Sequence, residues 1–214
     1  MRSRPPKKVS KPTPRPASAK PTQKPEAPAQ PKRVPLVIDL TIFADASFHD
    51  ETGAGGWGAW WKGEAMQFGQ TQGGILKCQV ASANVAESMA LVNAMAAATK
   101  SGDLKSGMTV LLQSDCLCAL QAFRHVFGAV DHPIRGGHRV ELTGRLPKQL
   151  DDAGIFPVAQ ALVQRLALKL MVRHVKGHSS GPGRSWVNRE CDRLARAGMV
   201  ARRSVLLAEG ELRL

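Results

Sequence analysis

Leu36-Val37-Ile38-Asp39-Leu40-Thr41-Ile42-Phe43-Ala44-Asp45 opens the folded part of this 214-residue chain. Leu36, Ile38, Leu40, Ile42 and Ala44 alternate with Val37, Asp39, Thr41, Phe43 and Asp45. A period of two in a stretch this rich in β-branched residues reads as a strand with one face turned to a core. The residues before it are of another kind. Residues 1–35 hold ten basic side chains, one acid (Glu26) and ten of the 14 prolines, so +9 of the chain's net charge of +13 lies there. The remaining 179 residues carry 20 basic and 16 acidic side chains, a net of only +4. The sequence therefore divides into a basic, proline-rich tail, 1–35, and a nearly balanced body, 36–214.

The tail has almost no large apolar side chains and cannot bury enough surface to offset the entropy of ordering, so it is expected to be disordered and extended. Two readings of it stand: a solvated solubility tail, or an electrostatic arm that attracts phosphates without sequence preference. Its prolines (Pro5, Pro6, Pro12, Pro14 and Pro16 among them) forbid the amphipathic helix of a mitochondrial presequence. The N-terminus lacks the apolar stretch of a secretory signal. No run of about 18 apolar residues exists to span a membrane. Four cysteines, Cys78, Cys116, Cys118 and Cys191, form neither a disulfide framework nor a CxxC zinc site, and the expected compartment is the reducing cytosol. The body is long enough for one domain with a real core.

After the first strand, glycines 53, 55, 56 and 58 surround Trp57, followed by Trp60 and Trp61. This reads as a loop turning into a second strand, 56–63, with a third near 65–76, an antiparallel meander. The three tryptophans are expected to pack in the core and on the strand surface. Residues 83–100 are alanine-rich, with Ser82 as N-cap and Gly102 as stop, and predict a helix. A strand over 109–114, a helix over 117–127, an irregular segment over 128–150, a helix near 156–166, a strand near 168–175 and a helix over 186–203 follow. The order β-β-β-α-β-α-α-β-α is that of a mixed α/β sheet with helices packed on it.

Four carboxylates stand out against this frame. Asp45 and Asp115 are expected at strand ends, where side chains project into the crevice in which α/β sheets bind ligands; either alone also fits a turn or cap. Glu87 shares a helix face with Ala90, Leu91, Ala94 and Ala98, the face that packs on the sheet. A buried carboxylate is costly without compensation, and no Lys or Arg lies three or four residues away on that helix. Asp192 flanks the stripe Val187, Cys191, Leu194, Ala195, Met199, where an exposed ion pair with Arg189 or Arg196 is the plainer alternative. Carboxylates gathered from two strands and two helices suit hard cations such as Mg²⁺, and acids within a basic chain suggest two-metal phosphoryl chemistry.

The segments Ile42-Phe43-Ala44-Asp45-Ala46-Ser47, Gly55-Gly56-Trp57-Gly58-Ala59, Asn84-Val85-Ala86-Glu87, Ser114-Asp115, Val175-Lys176-Gly177-His178 and Asn188 to Arg196 together resemble ribonuclease H type 1. The resemblance implies a ribonuclease H-like sheet of five strands, three antiparallel then two parallel, with helices on both faces. It implies an endonuclease cutting the RNA strand of RNA–DNA hybrids to leave 5′-phosphate and 3′-hydroxyl ends. In that family an Asp, Glu, Asp, Asp set holds two Mg²⁺ ions, with Mn²⁺ as a substitute, which activate water for in-line attack and stabilise the leaving oxygen. Carried over, the ligands are Asp45, Glu87, Asp115 and Asp192. His178 matches a mobile histidine that assists proton movement or product release, as an imidazole titrating near neutrality can. Asn84, Ser47 and Asn188 are the substrate-contact candidates, Asn84 because an amide can read a 2′-hydroxyl. The expected partner is the hybrid itself, its backbone also met by the tail, and the enzyme is expected to be monomeric.

The sequence departs from the family pattern in places. Ala46 stands where Gly is usual, Ala83 where a second Asn is frequent, and Ser114-Asp115-Cys116-Leu117 where Thr-Asp-Ser-Gln is common. Residues 124–150 carry Arg124, Arg135, Arg139, Arg145, Lys148 and three histidines, His125, His132 and His138, against Asp131 and Glu141. They read either as a basic substrate-binding handle, without its usual tryptophans, or as a plain polar loop. Two other functions remain open: a hybrid-binding module that has lost turnover, and a nuclease of the same fold with another specificity.

Overall fold

A computed structural model describes residues 37–132, 154–175 and 186–210 of the chain. The elements, in order, are β1 (Leu40–His49), β2 (Ala54–Gly63), β3 (Gln70–Ile75), α1 (Ala83–Lys100), β4 (Thr109–Ser114), α2 (Leu117–Phe127), β5 (Val130–Asp131), α3 (Ile155–Arg165), β6 (Lys169–His174) and α4 (Trp186–Ala208). The sheet order is β3-β2-β1-β4-β6-β5. β1, β2 and β3 pair antiparallel; β4 and β6 join parallel to β1 and to each other. The five strands expected from the resemblance are all present. A sixth, the two-residue β5 parallel to β6, extends the edge; so short a segment, inside a polar stretch, has no periodicity to betray it.

Local chemistry accounts for the elements. The β1–β2 hairpin closes where the Gly53 amide donates to the His49 carbonyl at 2.9 Å. α1 begins at Ser82, whose backbone is extended and whose side chain accepts the Val85 amide, and ends at Lys100; a serine cap of this kind is worth about 1 kcal/mol. α1 is buried around most of its circumference (Val85, Ala90, Leu91, Met95 and Ala98 among others) because it packs on β1 and β2 and touches α2 and α3. Its many alanines let those neighbours approach.

The strand alternation divides the core in two. Leu40, Ile42, Ala44, Trp57, Ala59, Trp61, Val110, Leu112, Leu170 and Val172 belong to the large cluster that α1 and α2 complete. Each Leu or Ile fully buried here contributes about 1.5–3 kcal/mol. Asp45 and its register partner Gly58 point to the opposite face, which α4 covers through contacts with β1, β2 and β3. Helices thus lie on both faces. Trp57 and Trp61 are buried, as expected, and the Trp61 indole N–H donates to Asp103 Oδ2 at 2.8 Å.

β1 is shifted relative to its expected position and runs four residues past Asp45. The pairing explains this. β4 accompanies β1 only from Leu40 to Phe43, whereas β2 accompanies it through His49. Asp45 is therefore not the end of a strand but lies just beyond the point where the parallel neighbour turns away, and the crevice opens there. α4 also runs beyond the expected residue 203, to Ala208.

The tail, 1–35, lies outside the described residues. So do Lys176, Gly177 and His178, and residues 133–150 of the basic segment.

Candidate active site

Each carboxylate is brought in by a different element. Asp45 stands in β1, and its Oδ1 accepts the amide of Ala46 at 2.9 Å. Asp115 occupies the single residue between Ser114 of β4 and Cys116, the N-cap of α2. The backbone there is pinned on both sides. Ser114 Oγ accepts the Cys116 amide at 3.0 Å, the Val175 amide donates to the Ser114 carbonyl at 3.1 Å, and His174 Nε2 lies 3.1 Å from the Asp115 carbonyl oxygen. Glu87 comes from the first turns of α1, on the face it shares with fully buried Ala90, Leu91, Ala94 and Ala98.

Asp45, Glu87 and Asp115 converge so that one ligand atom from each lies within 4.8 Å of the others. Three negative charges this close repel strongly. Glu87 registers the strain: burial first, then Asp45 and Asp115, push its carboxyl up to about 9, offset in part by the Ala46 amide. Its Oε2 is cut off from solvent and has no hydrogen-bond partner among the described residues. A buried acceptor without a donor is unfavourable, and a divalent cation would satisfy all three residues at once. Oxygen-only donors of this kind match Mg²⁺ or Mn²⁺ rather than zinc. The residues present fit such a cation.

Asp192 is the fourth member of the cleft, a cavity of about 310 Å³ whose lining includes Asp45, Ser47, Glu87, Asp115, Asp192 and Arg196. It stands apart from the tight trio and bonds Arg196 Nε at 2.8 Å. The two alternatives for Asp192 thus coexist: it lines the cleft and is ion-paired within its own helix. Ser47, expected to meet substrate, is on the cleft wall. Asn84 is exposed at the start of α1, with its Oδ1 3.6 Å from Cys116 Sγ. Asn188 lies one turn before Asp192 in α4, outside the cleft lining.

Sequence reasoning missed two features here. Arg196 reads from the sequence as a surface partner, not as a cleft residue; its spacing of four from Asp192 is the available signal. Cys116 performs a structural task, its Sγ accepting the Ala119 amide at 3.4 Å to cap α2, and burial pushes its thiol up to about 12. Leu117, where the family pattern has Gln, is an exposed apolar side chain at the start of α2.

This fold and this site define a class. The family model for RNase H matches residues 38–200, and the chain belongs to the RNase H family. No curated protein sequence matches it. Among solved structures it is similar to the N-terminal RNase H domain of Rv2228c from Mycobacterium tuberculosis, at 19% identity and a TM-score of 0.51, covering 79% of this chain and 99% of that one. It is similar to RNase H1 from the halophilic archaeon Halobacterium salinarum NRC-1, at 16% identity and a TM-score of 0.51, covering 76% and 98%. It is also similar to LC11-RNase H1, solved in complex with an RNA/DNA hybrid, at 18% identity and a TM-score of 0.52, covering 76% and 97%. At such identities the likeness is one of fold. No helix among the described residues is long and apolar enough to cross a membrane.

Proposed function

We propose that the chain is an endonuclease that hydrolyses the RNA strand of RNA–DNA hybrids, leaving 5′-phosphate and 3′-hydroxyl ends. The observation that carries this reading is the convergence of Asp45, Glu87 and Asp115 around the unpartnered Glu87 Oε2. Membership of the RNase H family supports the reaction class, and the hybrid bound to LC11-RNase H1 supports the substrate.

Asp45, Glu87, Asp115 and Asp192 would hold two divalent cations, Mg²⁺ or Mn²⁺. When bound, these supply charge neutralisation at the phosphodiester and acidify water. The chain's own residues do the rest. The sheet and α1 present Asp45 and Glu87 from opposite sides of the crevice, and Glu87 gives up its proton as positive charge arrives. Asp192 faces the cleft from α4, where Arg196 holds it in place. Asn84, Ser47 and Asn188 contact the hybrid, and the Asn84 amide bonds a 2′-hydroxyl that a DNA strand lacks. His178 moves a proton near neutral pH. Residues 36–214 form this catalytic domain, which acts as a monomer in a reducing cytosol. The tail, 1–35, adds sequence-independent attraction to phosphates.

The decisive experiment compares labelled RNA–DNA hybrid, RNA duplex, DNA duplex and single strands, each with Mg²⁺ and with chelator. Cleavage confined to the RNA of the hybrid and dependent on Mg²⁺ is expected. Binding without cleavage would make the chain a binding module, and cleavage of duplex DNA would give it another specificity.

A further inference from the structure

Cys116 touches two things at once. Its sulfur accepts the Ala119 amide at 3.4 Å and caps α2. It also lies 3.6 Å from Oδ1 of Asn84, across from the start of α1. A thiol has one proton to donate and lone pairs to receive, so both contacts are satisfied together. They have a directional consequence. An amide whose oxygen is engaged by a donor has its –NH₂ turned the other way, and Asn84 is exposed. Its backbone is fixed as well, since its main-chain carbonyl accepts Ser88 Oγ at 3.0 Å. Asn84 therefore offers a bound strand its –NH₂ donors in a held orientation.

We infer that Cys116 is a positioning residue for strand discrimination: its thiol locks the Asn84 amide so that the –NH₂ group meets a 2′-hydroxyl oxygen. A ribose supplies that acceptor; a deoxyribose has only hydrogens there. Freed from the thiol, the amide would have to be ordered when the strand binds, because a 2′-hydroxyl can meet either end of it, and part of the preference would be lost to that ordering. Ala83 leaves no second side-chain amide beside Asn84 to compensate. The inference rests on the proposed hybrid substrate but concerns binding preference, which can be read without cleavage.

The test measures the affinity of the full chain for an RNA–DNA hybrid and for a DNA duplex of the same sequence, by fluorescence anisotropy in chelator so that nothing is cut. Cys116→Ala is expected to lower the hybrid-over-DNA preference about three- to tenfold, the effect of leaving one side chain to be ordered on binding. Cys116→Gly is the companion variant, because glycine retains most of a helix cap while donating nothing; it should show the same reduction. Cys116→Ser, with a hydroxyl able to cap and donate, should recover the wild-type preference to within about twofold. In an Asn84→Ala background none of these changes should have a further effect. A folded Cys116→Gly protein with undiminished preference would overturn the inference, as would a reduction that persists in full without the Asn84 amide. Equal binding of hybrid and DNA by the wild type would also overturn it. Preferential binding with no cleavage when Mg²⁺ is restored would sink the proposed nuclease activity and leave this inference standing.

Discussion

Gly58 of β2 lies directly against Cys191 of α4: a Cβ at Gly58 would overlap the Cys191 carbonyl oxygen and come within 2.9 Å of Leu194 Cβ. Gly58 is also the register partner of Asp45, and Cys191 is the residue before Asp192. One missing methyl group thus sets the distance between the sheet that carries one carboxylate and the helix that carries another. Gly198 repeats the arrangement further along α4, against the carbonyl of Gly74.

Gly58→Ala should therefore affect stability and site together. Overpacking of this kind costs about 1–3 kcal/mol. It should appear as a lower melting temperature, accompanied by weaker Mg²⁺ binding in calorimetry because α4 is pushed away from β1. A variant with unchanged stability and unchanged metal affinity would show that the seam yields freely.

Glu87 predicts a pH dependence of the metal-free protein. In the unfolded chain its carboxyl titrates near 4.5, and in the folded protein at about 9. Between these values the folded state holds the extra proton. Stability is then highest at the acid end of the window and declines as pH rises toward the upper value. Glu87→Gln should flatten that decline, and Mg²⁺ should counter it in the wild type by binding the folded state. Urea midpoints at about pH 5 and about pH 8, with and without Mg²⁺, read this directly. A wild-type midpoint that rises across the window in chelator contradicts it.

Asp45→Asn and Asp115→Asn should each abolish cleavage of a labelled hybrid and leave the chain folded. Each removes one of the two charges that, with burial, hold Glu87 protonated, so the metal-free protein should be no less stable than the wild type. Circular dichroism melts check the second half of the statement. Near-wild-type turnover by either variant would remove that residue from the metal site.

Deleting residues 1–34 should leave the maximal rate nearly intact and weaken hybrid binding. The dependence of log K on log salt should flatten by about 0.9 for each phosphate that the tail no longer neutralises. An unchanged slope would return the tail to the role of a solubility segment.

Much of this structure is legible in the sequence, and the pattern of what is not is physical. α1, β4 and α2 begin and end where the sequence places them, because the Ser82 cap and the short apolar run of Thr109–Ser114 are local signals. Glu87 is recognisable as an acid on a packed helix face because its helix neighbours are apolar. The true position of Asp45 is not, since the end of the β1–β4 pairing at Phe43 depends on a strand far along the chain. β5 carries no periodicity. The link from Cys116 to Asn84 joins residues on two elements, and no spacing rule connects them. The ion pair of Asp192 with Arg196 is readable from their spacing, but that both face the cleft depends on how α4 crosses β1 and β2.

The early halt of the β1–β4 pairing has a kinetic consequence. The β1–β2 hairpin is a local structure able to form soon after the chain collapses, whereas β4 must return across the whole of α1 before it can lie beside β1. The three crowded carboxylates meet only after that closure. Their repulsion should accordingly fall on the native side of the folding barrier, hastening unfolding while leaving the folding rate nearly unchanged. A divalent cation bound among them would act mainly as a brake on unfolding.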